Sequence, residues 1–198
     1  MTSATSIVGN HPTGGGDPRD IDASQVADVE GTVVTAGLLA LALVAVARLV
    51  APSWFAALRR ELTGLGPALA GGVAVLATAG SLWFSEGAHF PPCELCWYQR
   101  IAMYPLAVVL PLAAWRRDPG IRPYALTVAG LGLAVNAWHV FIETFPDRDP
   151  GGCDPNNPCT IRWVEGLGFW TIPRMAGACF AVILVVLWLD RPNAEEAP

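Results

Sequence analysis

The chain has 198 residues, of which 53% are hydrophobic and only 15% charged, with a mean hydropathy of +0.43. Its 17 acidic and 12 basic residues leave a formal net charge of −5, so it offers no basic footprint for a nucleic acid. That composition excludes an ordinary soluble domain and points to an all-α integral membrane protein.

Residues 1–30 lack the basic start and early apolar core of a secretory signal; they carry Gly14, Gly15 and Gly16, prolines, and Asp17, Asp20, Asp22, Asp28 and Glu30. We expect a flexible acidic tail there. Apolar runs of about the 20 residues a bilayer requires follow at 31–50, 66–84, 97–115, 122–142 and 173–189, giving five candidate spans, and 191–198 is a short tail. All twelve basic residues are arginine. Arg48, Arg59 and Arg60 follow the first span and Arg116, Arg117 and Arg122 lie between the third and fourth, so the positive-inside rule makes both connections cytoplasmic. The N-terminal tail and the segments 85–96 and 143–172 are then extracytoplasmic, and Cys93, Cys96, Cys153 and Cys159 share one oxidising compartment.

Cys93-Glu94-Leu95-Cys96 enters the third span, with Arg100 on the same helical face as Cys96 and one turn deeper. Cys-x-x-Cys brings two sulfurs within bonding reach, and arginine at membrane depth marks a site by its cost. Pro91 and Pro92 cannot continue a helix, so the span should begin near Glu94 to Cys96, where the helix dipole and Arg100 would both stabilise a Cys96 thiolate. The second pair, Cys153-Asp154-Pro155-Asn156-Asn157-Pro158-Cys159, holds turn-forming residues that bring its ends together. Closing so short a ring is worth about 2.4 kcal/mol, which suits either a weak structural staple or a bond that is made and broken. A zinc centre of four thiolates is a further alternative, although one of its two hooks would hold five intervening residues where two to four are usual.

Other residues carry plainer readings. Cys179, in the middle of the last span, reads as a packing residue. His139 lies four residues before Glu143 and could pair locally near a helix end. Gln99 could hydrogen-bond within a bundle, and Trp83, Trp97, Trp163 and Trp170 read as interfacial anchors. The stretch 161–170 is too polar to span and should lie on the outer surface, holding the Cys153 loop near the membrane.

Pro92-Cys93-Glu94-Leu95-Cys96-Trp97-Tyr98-Gln99-Arg100-Ile101-Ala102-Met103-Tyr104-Pro105 resembles the signature of the disulfide bond formation protein B (DsbB) family, especially its BdbC-like branch. The resemblance extends through Asn136-Ala137-Trp138-His139, the Cys153/Cys159 loop and Gly168-Phe169-Trp170-Thr171-Ile172-Pro173, covering roughly residues 66–190. It implies a four-helix transmembrane bundle in the prokaryotic cytoplasmic membrane, here with an additional N-terminal transmembrane helix. It also implies that the protein reoxidises an extracytoplasmic thioredoxin-fold oxidase, DsbA or BdbD-like, and passes electrons to a membrane quinone, ubiquinone or menaquinone. Carried over by position, Cys153 and Cys159 face the partner, with Cys153 forming the mixed disulfide. Cys93 and Cys96 face the quinone, with Cys96 as donor, Arg100 polarising a quinone carbonyl, and His139 and Gln99 as further quinone contacts.

Two features depart from that pattern: the extra span, and a loop pair separated by only five residues. Vitamin K epoxide reductases share the implied bundle, but their loop cysteines precede the Cys-x-x-Cys, whereas here they follow it. Two competing readings remain, a membrane protein with inert disulfides and a metal-handling one. The direction of electron flow does not follow from Cys-x-x-Cys, since such pairs run from about −270 to about −120 mV.

Overall fold

The computed structural model describes residues 22–190, built from α1 (Ala23–Val50), α2 (Pro52–Leu62), α3 (Gly66–Leu82), α4 (Glu94–Arg116), α5 (Ile121–Thr144) and α6 (Ile172–Leu189). Among the described residues the only strand-like pairing is an isolated bridge between Gly166 and Trp170. α1 starts behind Asp22, whose N–H donates to Gln25 Oε1, so the last eight residues of the expected tail are helical. Residues 1–21 of that tail, and the expected tail 191–198, lie outside the described residues. α2 had no counterpart among the predicted spans because eleven residues cannot cross a bilayer; Pro52 at its first position both ends α1 and starts it.

Among the described residues four helical stretches are long and apolar enough to cross a membrane: α1, α3 with the π turn that prolongs it to Gly87, α5 and α6. α4 is more polar, but its 23 residues extend about 34 Å at 1.5 Å each and it packs along both α3 and α5. The chain is therefore a multi-pass membrane protein. α3, α4, α5 and α6 close into a four-helix ring in that order, with α1 outside it against α6.

Small residues set the close approaches, as they do where lipid supplies no hydrophobic drive between helices. A side chain on Gly71 of α3 would stand 2.9 Å from the backbone nitrogen of Pro111 in α4, and one on Gly132 of α5 would stand 2.5 Å from the Phe180 ring of α6. Around these contacts Met103, Leu106, Leu110, Ala129, Phe180 and Ile183 form the core. Arg117, in the left-handed conformation with φ 54°, ends α4, and the short link to Ile121 makes α4 and α5 antiparallel neighbours.

The bundle has two chemically different ends. At one, Arg48 lies over the Trp188 ring at 5.6 Å and Arg122 Nε donates to the Leu187 carbonyl at 2.7 Å. At the other lie the start of α4, the long connection from α5 to α6 and the cysteine pairs. There the segment 161–171 folds over the bundle on Glu143, whose fully buried carboxylate meets Arg162 at 3.3 Å, Arg174 at 3.6 Å and the Thr171 hydroxyl at 2.9 Å. α1 docks on the same segment, with Trp170 Nε1 donating to Thr35 Oγ1 and the Leu167 N–H donating to Asp28 Oδ1, both at 2.8 Å.

Candidate active site: two cysteine pairs beside an apolar cavity

Cys93 is the N-cap of α4, in extended backbone after Pro91 and Pro92, and Glu94 is the first helical residue, within the range the prolines predicted. The Cys93 sulfur accepts from the Cys96 backbone N–H at 3.4 Å and shares a thiol hydrogen with Cys96 Sγ, 2.9 Å away. Those donors, the thiol of Cys96 first, hold the buried Cys93 thiol down to about 4, against burial acting the other way and with help from His139. Cys153 and Cys159 are disulfide-bonded, with Cα atoms 6.0 Å apart. Cys159 is buried in one cluster with Cys93 and Ile142, while Cys153 is half-buried at its edge. The structure thus brings together the four cysteines that the sequence places in two separate segments.

His139 stands between the pairs. Its Nε2 donates to the Cys159 carbonyl at 3.0 Å and lies 3.8 Å from Cys93 Sγ. A chain of amides fixes this orientation. Asn136 Nδ2 donates to the Pro173 carbonyl at 2.7 Å, which can only accept, and also to Gln99 Oε1 at 3.3 Å. Gln99 must then turn its Nε2 to His139 Nδ1, at 2.8 Å, so Nδ1 accepts and the ring proton sits on Nε2. Gly177 makes room, since a side chain there would collide with Asn136 Oδ1.

A cavity of about 360 Å³ opens on the other side of Cys96. Gln99, Arg100 and Tyr104 of α4 line it with Ser81 of α3, in a wall that is otherwise largely apolar. Its size and its few convergent polar groups suit a flat, mostly apolar molecule with polar oxygens, as a quinone ring is. Arg100 does not hydrogen-bond either sulfur: Nε donates to Ser81 Oγ at 3.1 Å, Nη2 donates to the Ser81 carbonyl at 3.0 Å, and the guanidinium lies over the Trp97 ring at 5.3 Å. It is a cation fixed to the cavity wall. His139 does not line this cavity; it borders a much smaller pocket with Cys93, Cys96 and Pro158.

Cys93, Cys96 and His139 also bring three potential metal-donor atoms within 4.8 Å of one another. The amide chain works against a metal there, because the nitrogen facing the sulfurs carries the proton. The sequence gives Ser81 no role and Glu143 only that of a local partner for His139, while Asn136, three residues before His139 in the quoted motif, carries a local signal.

A multi-pass helical membrane protein with a reduced Cys-x-x-Cys packed on a loop disulfide defines a class of thiol–disulfide oxidoreductases. Residues 63–189 match the family described as "Disulfide bond formation protein DsbB", and the chain belongs to that family. It is 41% identical over 127 residues to the "Probable disulfide formation protein" of Oceanobacillus iheyensis, covering 63% of this chain and 88% of that one. It is 38% identical over 125 residues to the "Disulfide bond formation protein C" of Bacillus subtilis, covering 63% of this chain and 91% of that one. No solved structure matches it. The family match leaves out both α1 and α2.

Proposed function

We propose that this protein reoxidises an extracytoplasmic thioredoxin-fold oxidase of the DsbA or BdbD kind and passes the electrons to a membrane quinone, ubiquinone or menaquinone. The observation that carries this reading is the order of groups: the half-buried Cys153, the buried Cys159, Cys93, Cys96 and then the cavity. The arginines Arg48, Arg116, Arg117 and Arg122 mark the cytoplasmic end of the bundle, which leaves the cysteines on the outer face of the cytoplasmic membrane.

A thiolate of the partner attacks Cys153, the loop disulfide breaks, and Cys159 leaves as a thiolate. Cys159 attacks Cys93, and Cys96 leaves as a thiolate beside the cavity and takes up one of the protons that the partner's thiols release. The partner's second thiolate displaces Cys153 and departs oxidised; Cys153 then attacks Cys159, re-forming the loop disulfide and releasing Cys93. His139 and the Cys96 N–H stabilise Cys93 as that leaving thiolate, and a better-stabilised leaving thiolate leaves faster. Arg100 and Gln99 are the cavity residues that would hold the oxygen end of a quinone, and a quinone bound there would supply an acceptor for the two electrons released when Cys93 and Cys96 form a disulfide. His139 acts through Cys93 and the Cys159 backbone in this scheme, not through the quinone.

The test mixes the purified protein with a reduced thioredoxin-fold oxidase and a soluble quinone analogue, following quinone absorbance and partner thiols together. Stoichiometric loss of both supports the reading. Oxidation of the partner with no quinone consumed refutes the acceptor, and no partner oxidation refutes the whole scheme. Stoichiometric zinc or copper on the purified protein would favour the metal-handling reading.

A further inference from the structure

Glu30 belongs to α1, the helix that the family match leaves out, and stands one residue before the long apolar run 31–50, between Asp28 and Thr35, through which α1 docks on the segment 161–171. A carboxylate on the wall of a largely apolar cavity is costly to keep there and is a candidate for function. Its side chain lines the 360 Å³ cavity and its carboxylate occupies the notch left by Gly80 of α3, where any side chain would collide with Glu30 Oε1. Gly80 is followed directly by Ser81, the residue that holds Arg100. The other titratable or charged groups on the cavity wall are Cys96, Arg100 and Tyr104 of α4 and Cys179 of α6, so Glu30 is its one carboxylate among the described residues. No hydrogen bond or ion pair to another described residue holds that carboxylate.

Proton counting gives this placement a use, and it rests on the quinone reading above. Closing the Cys93–Cys96 disulfide releases two electrons, and a quinone takes up two electrons and two protons to become a quinol. With the Cys93 and Cys96 sulfurs 2.9 Å apart and sharing one thiol hydrogen, the pair carries one proton. The second must come from another group at the cavity. We propose that Glu30 is a catalytic proton donor to the quinone: its carboxylic acid gives one proton to a quinone oxygen as the disulfide forms, and the carboxylate regains a proton from the outer aqueous phase. The extra helix α1 is then part of the active site, supplying an acid that the rest of the cavity wall lacks.

The full-length protein in lipid nanodiscs tests this with Glu30→Gln, an isostere that cannot donate, beside Gly80→Ala, which fills the notch and displaces the carboxylate, and Glu86→Gln as an exposed control. Three readouts separate the outcomes: the infrared carboxylic acid band as a function of pH, quinone reduction by the pre-reduced protein, and quinone-independent formation of the mixed disulfide with the partner. We expect a titrating band that Glu30→Gln abolishes, quinone reduction slowed about 10²-fold in both Glu30→Gln and Gly80→Ala, and unchanged mixed-disulfide formation, which also reports folding. Glu86→Gln should match the parent in all three. A Glu30→Gln protein that exchanges with the partner and reduces quinone at the parent rate overturns the proposal alone. A parent protein that reduces no quinone overturns the quinone reading, and the proposal falls with it. A carboxyl band unaltered by Glu30→Gln overturns the assignment of the acid to Glu30, whatever the turnover.

Discussion

The acidity of Cys93 is the sharpest quantity the geometry sets. Its thiolate is held by the Cys96 thiol at 2.9 Å, the Cys96 N–H at 3.4 Å and His139 Nε2 at 3.8 Å, and the first of these contributes most. A hydrogen bond to a charged group is worth about 1.5–3 kcal/mol, and one pKa unit is about 1.36 kcal/mol, so a strong donor shifts the thiol by about one to two units. His139 lies at the long end of donor distance, and its loss should raise the Cys93 pKa by about one unit or less. In a Cys153→Ser, Cys159→Ser, Cys179→Ala background, thiolate absorbance and alkylation rate against pH should place Cys93 well below a free thiol. Cys96→Ala should raise it most, and His139→Phe should raise it less. The sign for stability follows: a depressed pKa contributes stability that is full above the ordinary thiol value near 9 and is lost as pH falls towards about 4. The reduced protein should therefore lose thermal stability across that window relative to the form with Cys93–Cys96 oxidised, in which neither sulfur titrates. A Cys93 that titrates near 9, or an order in which His139→Phe exceeds Cys96→Ala, would refute the reasoning.

Cys159→Ala should trap a mixed disulfide between Cys153 and the partner, visible on non-reducing gels, because the resolving thiol is gone; an adduct with Cys153→Ala and none with Cys159→Ala reverses the assignment. Arg100→Ala should keep forming that adduct while quinone reduction falls about 10²-fold, with Arg100→Lys intermediate because it keeps the charge but loses the planar fork that grips Ser81. A membrane-impermeant thiol reagent applied to spheroplasts after reduction should label Cys153, and a cysteine introduced at the exposed Ser53 in α2 should stay protected; labelling at position 53 would invert the topology.

The sequence alone determined the features that depend on local composition and spacing. Runs of apolar residues suffice to mark a multi-pass helical protein, because a bilayer imposes one length on every span. Pro91 and Pro92 suffice to start α4 next to Cys93, because a proline pair cannot be helical interior. The Cys93-to-Pro105 stretch suffices to point to the family that residues 63–189 match. The tertiary structure decided which faces meet, because a helix that is apolar nearly all round gives no period from which its rotation can be read. Gly71, Gly132 and Gly177 set those rotations by letting neighbouring helices close in. The result turns His139 towards Cys93 and the Cys159 carbonyl and away from the large cavity where it had been expected, through amides contributed by three different helices or their ends. Arg100 likewise grips Ser81, 19 residues earlier in the chain, where sequence spacing had pointed only to Cys96. Glu30 was read with the acidic tail because its neighbours in sequence are Asp28 and Asp22; only the docking of α1 on Trp170 and Leu167 carries the helix back to Ala23 and sets that carboxylate in the cavity.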